Sequence, residues 1–262
     1  MTVAPVTLAA LVIATLVVAL LPIGLYRFLR KPMALDRRDA IVGVAAYALF
    51  ATLLERGLYA VLLNQPSAVM WLSKPVTFAV FGTVVAALFE EIGRYLGLRF
   101  LVRRYGASDG DARGFANGIG HGGAQAWFVG VVVLAQWVYL AWLANRGELN
   151  AQLSTMPADL ALRIQVTLAT MSPASVAVSA LERVAAFVVQ AALSVLMWRG
   201  IRAGKRWILP AMIVLHPIID LPSILYNGGG VPFEWMVALY LLLTAGFAAA
   251  LMKLCRPARA AR

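Results

Sequence analysis

The sequence predicts an all-α fold: a polytopic transmembrane helix bundle of about seven spans with one interfacial amphipathic helix, forming a single transmembrane domain over residues 1–262. Three observations carry this reading. The 262 residues are 62% hydrophobic and only 13% charged, with a mean hydropathy of +0.81, well away from the composition of soluble domains. Apolar runs of about 20 residues, the length needed to cross a hydrocarbon core, follow one another along the chain. The basic residues gather at the ends of those runs, where they act as orientation signals in a membrane protein.

The first run, residues 3–26, has no basic residue before it and ends in Arg27, Arg30 and Lys31. A secretory signal has its charge ahead of the apolar stretch and a small-residue cleavage site after it, so this run reads as a retained helix. Further spans are expected at 40–63, 75–98, 114–143, 174–198, 207–226 and 231–254. Residues 147–173 are too polar to span, and 158–171 reads as an amphipathic helix lying at the interface. No internal repeat is evident.

Orientation follows from the basic residues loop by loop. Arg27, Arg30, Lys31, Arg37, Arg38, Arg99, Arg103, Arg104, Arg113, Arg199, Arg202, Lys205, Arg206, Lys253, Arg256, Arg259 and Arg262 fall on one side, against Lys74, Arg146 and Arg163 on the other. The expectation is an N-terminus outside and a C-terminus in the cytoplasm. The net charge of +11 does not indicate a nucleic-acid partner, because the basic residues do not share a polar face interleaved with aromatics. Cys255 is the single cysteine, which excludes an internal disulfide and a thiolate metal cluster.

Charges at bilayer depth cost several kcal/mol each unless paired or hydrated, so each needs a reason. Glu55, Arg56, Glu182 and Arg183 fall in the outer half of spans two and five, where crosswise ion pairs, Glu55 with Arg183 and Arg56 with Glu182, are expected to staple the two spans. Glu90 and Glu91 on span three, His121 on span four and His216 on span six converge instead on a layer roughly 10–15 Å below the cytoplasmic surface, at a rise of about 1.5 Å per residue. Arg94 is reachable from both Glu90 and Glu91, so one carboxylate is neutralised and one is spare. Asn117, His121 and Gln125 recur at four-residue spacing on one face, with Gly118, Gly120, Gly122 and Gly123 permitting close approach of a neighbour. His216 and Asp220 are likewise four apart, and Pro217 and Pro222 are expected to distort span six. Such a set suits a hydrolase, in which a carboxylate acts as general base toward water and histidine assists it. The same residue types also serve a proton or ion pathway, or a polar packing core.

The motifs distinguish these further. Glu90-Glu91-Ile92-Gly93-Arg94-Tyr95 resembles the Glu-Glu-x-x-Arg motif of the CAAX-protease and bacteriocin-processing (CPBP) superfamily of intramembrane proteases. Residues 117–123, with His121 between glycines, resemble its second motif, and His216-Pro-Ile-Ile-Asp220 resembles its third. The Gly-His-Gly-Gly form, with Glu182-Arg183 followed by Ser194, is most similar to the YhfC family, over about residues 40–230. The resemblance implies a bacterial cytoplasmic membrane protein. In it Glu90 activates water, Glu91 assists or binds substrate, His121 holds the water, His216 and Asp220 line the oxyanion side, and Arg94 orients the carboxylates, with Asn117 and Gln125 in support. The family pattern has Glu at the position of Gln125 and His at that of Gln190, and Asn117 stands where the superfamily often has Phe. Zinc requires about three protein ligands, which His121, His216 and Glu90 supply in number, whereas the resemblance implies metal-free catalysis. The expected function is therefore a glutamic-type peptidase acting on a peptide or membrane-protein substrate, with lipid as its other partner. A catalytically silent scaffold or substrate-binding subunit of the same fold, which the Gln125 departure suits, is one rival. A proton-coupled transporter, which often shows the inverted repeats not found here, is another.

Overall fold

Many large apolar side chains face outward while a few charged or titratable ones are fully enclosed: Leu242 is 71% exposed and Leu20 59%, whereas Glu91, Arg94 and His121 are 0% exposed. The computed structural model describes residues 1–220 and 233–254. Pro222, residues 227–230, Cys255, Arg256, Arg259 and Arg262, which carry some of the expectations above, lie outside the described residues. The described residues form helices and no strand.

In chain order the helices are α1 (Pro5–Leu29), α2 (Arg37–Leu62), α3 (Pro66–Leu72), α4 (Pro75–Tyr105), α5 (Ala112–Arg146), α6 (Leu149–Leu153), α7 (Ala158–Thr170), α8 (Pro173–Arg202), α9 (Ile208–Ile219) and α10 (Phe233–Leu254). Among them α1, α2, α4, α5 and α8 are long and apolar enough to cross a membrane, so the chain is a multi-pass membrane protein. The short apolar helix α9 and the apolar stretch Trp235–Phe247 within α10 stand where the sixth and seventh spans are expected. The 12 residues of α9 cover about 18 Å, part of a core about 30 Å thick, and residues 221–226 of that expected span are outside the described set. Helix α7 occupies the stretch read as amphipathic, and α3 is a short helix the sequence reading did not anticipate.

Local chemistry sets the ends. Asp36 caps α2 by accepting the Arg38 N–H at 2.8 Å, and Pro66 and Pro75 sit in the first turns of α3 and α4, where a missing N–H costs nothing. At the end of α5, Gly147 takes φ +75° and its N–H returns to the carbonyls of Leu143 and Ala144, a left-handed cap suited to glycine. Two stretches inside long helices are π-helical, Ala48–Leu54 in α2 and Ala126–Val131 in α5. One such turn follows directly after Tyr47 and the other directly after Gln125, and π-helical turns of this kind are frequent at functional sites.

The chain divides into two compact units, one of Met1–Leu21 and Ala126–Val184, the other of Pro22–Gln125 and Ala185–Arg262. In the first, Leu11, Val18, Leu134, Ala141 and Leu168 form an apolar core. There the Asn145 side chain closes a two-point clasp, accepting the Val3 N–H at 2.6 Å and donating to the Val3 carbonyl at 3.0 Å. In the second, Leu98 and Leu101 of α4, Leu193 and Trp198 of α8, and Ile208 and Met212 of α9 pack together.

Within the second unit, α2 and the first half of α5 meet backbone to backbone. A Cβ on Gly43 would overlap the Asn117 carbonyl, and one on Gly120 would overlap the Ala40 carbonyl, so glycine on each helix lets the other approach. Asp39 and Arg113 pair across the same seam at 3.2 Å, and the Arg113 guanidinium lies 5.2 Å over the Trp198 ring. This contact holds the His121 helix against α2.

Candidate active site

Every side chain of the site belongs to the second unit. Glu90, Glu91 and Arg94 come from one turn of α4; Asn117, His121 and Gln125 from successive turns of α5; Gln190 and Ser194 from α8; His216 from α9 and Asp220 from the cap that follows it; and Tyr240 from α10. Gly93 leaves room on α4 for Phe50, whose ring atoms would lie 2.8 Å from a Cβ at that position, so the π-helical turn of α2 packs beside the two glutamates.

Arg94 is fully buried and selects Glu91. Its Nε lies 3.1 Å from Glu91 Oε2, while Nη1 donates to the Gln190 carbonyl and to Ser194 Oγ, each at 2.7 Å, and Nη2 donates to Gln190 Oε1. The other Glu91 oxygen meets His216 Nδ1 at 2.8 Å. On the far side of that ring, His216 Nε2 is 3.6 Å from Asp220 Oδ2, and the Tyr240 hydroxyl donates to Asp220 Oδ1 at 3.3 Å. Asp220 is the accessible member of this chain, with 34% of its side chain exposed.

Glu90 has a different environment. Its Oε1 accepts from Gln125 Nε2 at 3.2 Å, and its Oε2 accepts from Gln190 Nε2 at 2.7 Å and faces His121 Nε2 at 3.4 Å. The edge of the His121 ring packs against Tyr47, with centroids 5.1 Å apart and planes at 87°. Since Nε2 faces a carboxylate, it is the nitrogen that carries the proton in the neutral ring. Asn117 donates to the Asp39 carbonyl at 3.3 Å, and so ties α5 to α2 one turn from His121.

The structure thus brings together Glu90, Glu91, Arg94, His121, Gln125, His216 and Asp220, and places Asn117 beside them on the α2 seam. Glu55 and Arg56 belong to this unit, with Glu55 near enough to feel the charge of Glu90, while Glu182 and Arg183 belong to the other unit. Their crosswise pairing stays an inference from the sequence. Three contributors escaped the reading of residues alone. Gln190 and Ser194 sit four apart on a buried face of α8, a spacing that signals a shared face, but no periodicity indicates that they point at Arg94. Tyr240 is a lone tyrosine in an apolar run and gives no signal in sequence.

The donors for a zinc ion are present in kind. His121 Nε2 and Glu90 Oε2 are 3.4 Å apart, close to the spacing of two ligands about 2.0–2.1 Å from one tetrahedral ion. The third does not join them, since His216 faces Glu91, and among the described residues no group of three His, Cys, Asp or Glu is arranged to hold a metal. As arranged, the residues do not fit a three-ligand zinc site.

Comparison with known proteins agrees with the motifs. Residues 17–241 match the family model described as YhfC intramembrane metalloprotease. The uncharacterized membrane protein YhfC of Bacillus subtilis (strain 168) is 28% identical over 227 residues, covering 86% of each chain. No solved structure matches the chain. With motifs on α4, α5 and α9 and a family match over most of its length, this chain belongs to the YhfC intramembrane metalloprotease family.

Proposed function

We propose that the chain is a glutamic-type intramembrane endopeptidase in which Glu90 takes a proton from a water molecule that attacks a peptide carbonyl. The observation that supports this most is the division of labour between adjacent carboxylates: Arg94 pairs with Glu91, whereas Glu90, 4% exposed, is held by two neutral amides and faces a histidine. A carboxylate kept ionised by neutral donors, with an acceptor lone pair still open, is in the form that can take a proton from water. The water oxygen bonds to the carbonyl carbon, the C–N bond breaks, and the proton taken by Glu90 passes to the leaving amine. His121 holds Glu90 Oε2 through Nε2, and His216 with Asp220 faces the developing oxyanion. The substrate is a peptide or membrane-protein segment in or near the bilayer.

Purified wild-type protein and Glu90→Gln, compared on a panel of membrane peptides, test this reading. Cleavage by the wild type alone is expected; identical cleavage by both, or none by either, removes the case for Glu90 as base.

The family description favours a second, zinc-dependent reading, which would need His216 to leave Glu91 and join His121 and Glu90, since the residues as arranged do not fit the ion. On the first reading, exhaustive chelation leaves cleavage intact. Loss of cleavage restored by stoichiometric zinc would establish the second.

A further inference from the structure

We propose that Gln190 is a positioning residue that sets which oxygen of Glu90 takes the water's proton, an inference that rests on Glu90 being the base of a hydrolytic reaction. Gln190 is 2% exposed and bridges Arg94 to Glu90, accepting from Arg94 Nη2 through Oε1 and donating from Nε2 to Glu90 Oε2 at 2.7 Å. A guanidinium only donates and a carboxylate only accepts, so the group between them must accept on one side and donate on the other. An amide does this in one orientation. Flipped, it would set NH₂ against the guanidinium and oxygen against the carboxylate.

The reference point is rigid. Arg94 is 0% exposed and is bound by Glu91, by Ser194 and by the Gln190 carbonyl as well as its side chain. A Cβ on Gly122 of α5 would sit 3.0 Å from Gln190 Cβ, so α5 presses against the base of the side chain and leaves it little freedom.

Lone pairs then single out one oxygen of Glu90. A carboxylate offers about four acceptor sites, two on each oxygen. Gln190 and His121 occupy Oε2, at 2.7 and 3.4 Å, whereas Gln125 alone occupies Oε1, at 3.2 Å. The site left for a water proton is on Oε1. Gln190, with the shortest of the three contacts, holds the carboxylate in the rotation that presents it.

Two substitutions separate this role from plain packing. Gln190→Leu removes both bonds; Gln190→Glu has nearly the same shape and still accepts from Arg94, but sets a second carboxylate in place of the donor to Glu90. In the full-length protein in lipid vesicles, with a peptide the wild type cleaves, both are expected to lower kcat about 10- to 100-fold, the range for groups that orient a reacting residue, with KM within about 2-fold. If Gln190→Leu does not fold, the isosteric Gln190→Glu carries the kinetic test. Alongside, Tm is measured for Gln190→Glu, Glu90→Gln and the double variant, and the shift caused by Gln190→Glu is expected to at least halve once Glu90→Gln is present. Additive Tm shifts, near wild-type kcat in Gln190→Glu, or a loss confined to KM would overturn the proposal. Should the wild type cleave nothing, the hydrolytic reading and the kinetic role of Gln190 both fall, and the Tm cycle decides separately whether Gln190 holds Glu90.

Discussion

Asp220 holds Oδ1 under the Tyr240 hydroxyl and Oδ2 3.6 Å from His216 Nε2, with a third of its side chain exposed. An ionised aspartate beside a developing oxyanion would repel it, while a neutral acid donates a hydrogen bond to it. If the neutral form works, Asp220→Asn supplies a permanent neutral donor of similar shape and cleavage persists. Asp220→Ala removes the donor, and by analogy with other oxyanion holes costs about 2.7–4 kcal/mol in transition-state stabilisation, read from kcat/KM. A metal ligand or proton carrier would tolerate Asn nearly as badly as Ala. A folded but inactive Asp220→Asn protein therefore contradicts the oxyanion role. At this scale the residue types were legible in sequence and their pairing was not. Arg94 is one helical turn from both glutamates, so spacing alone did not choose Glu91; Ser194 and the two Gln190 contacts on α8 direct it there.

The α2–α5 seam carries the element-scale account, because His121 is positioned by the helix that α2 packs against. Gly120→Ala would drive a methyl into the Ala40 carbonyl, which is backbone and has no rotamer to escape through. A loss of about 1–3 kcal/mol is expected, as for other overpacked cores, seen as a lower Tm and lower yield of folded protein. Gly24→Ala, with nothing within 4 Å, is the control and should leave Tm nearly unchanged. Equal behaviour of the two variants would mean that the seam is not close-packed. The glycine run on span four announced a close approach in sequence but could not name the partner helix, since many helices have small residues. The two π-helical turns, Ala48–Leu54 and Ala126–Val131, left no trace in the apolar pattern, because one extra residue per turn shifts the periodicity only locally.

At the scale of the whole molecule, the helical membrane class was legible because a bilayer demands long apolar runs with all backbone groups paired inside each helix. The division into two units was not, since it depends on which helix halves pack together rather than on composition. The seven-span reading with the C-terminus inside makes a direct prediction: a reporter fused after Arg262 is cytoplasmic, and one inserted at residues 227–230 is external. A cytoplasmic signal at the latter position breaks that topology. Cleavage in ¹⁸O-labelled water tests whether the buried carboxylates of this bundle hydrolyse peptide bonds. Products of the wild type are expected to have one solvent oxygen in the new carboxyl terminus, and Glu90→Gln, equally folded, to yield none; products formed by both proteins alike, or by neither, would rule out Glu90-dependent hydrolysis.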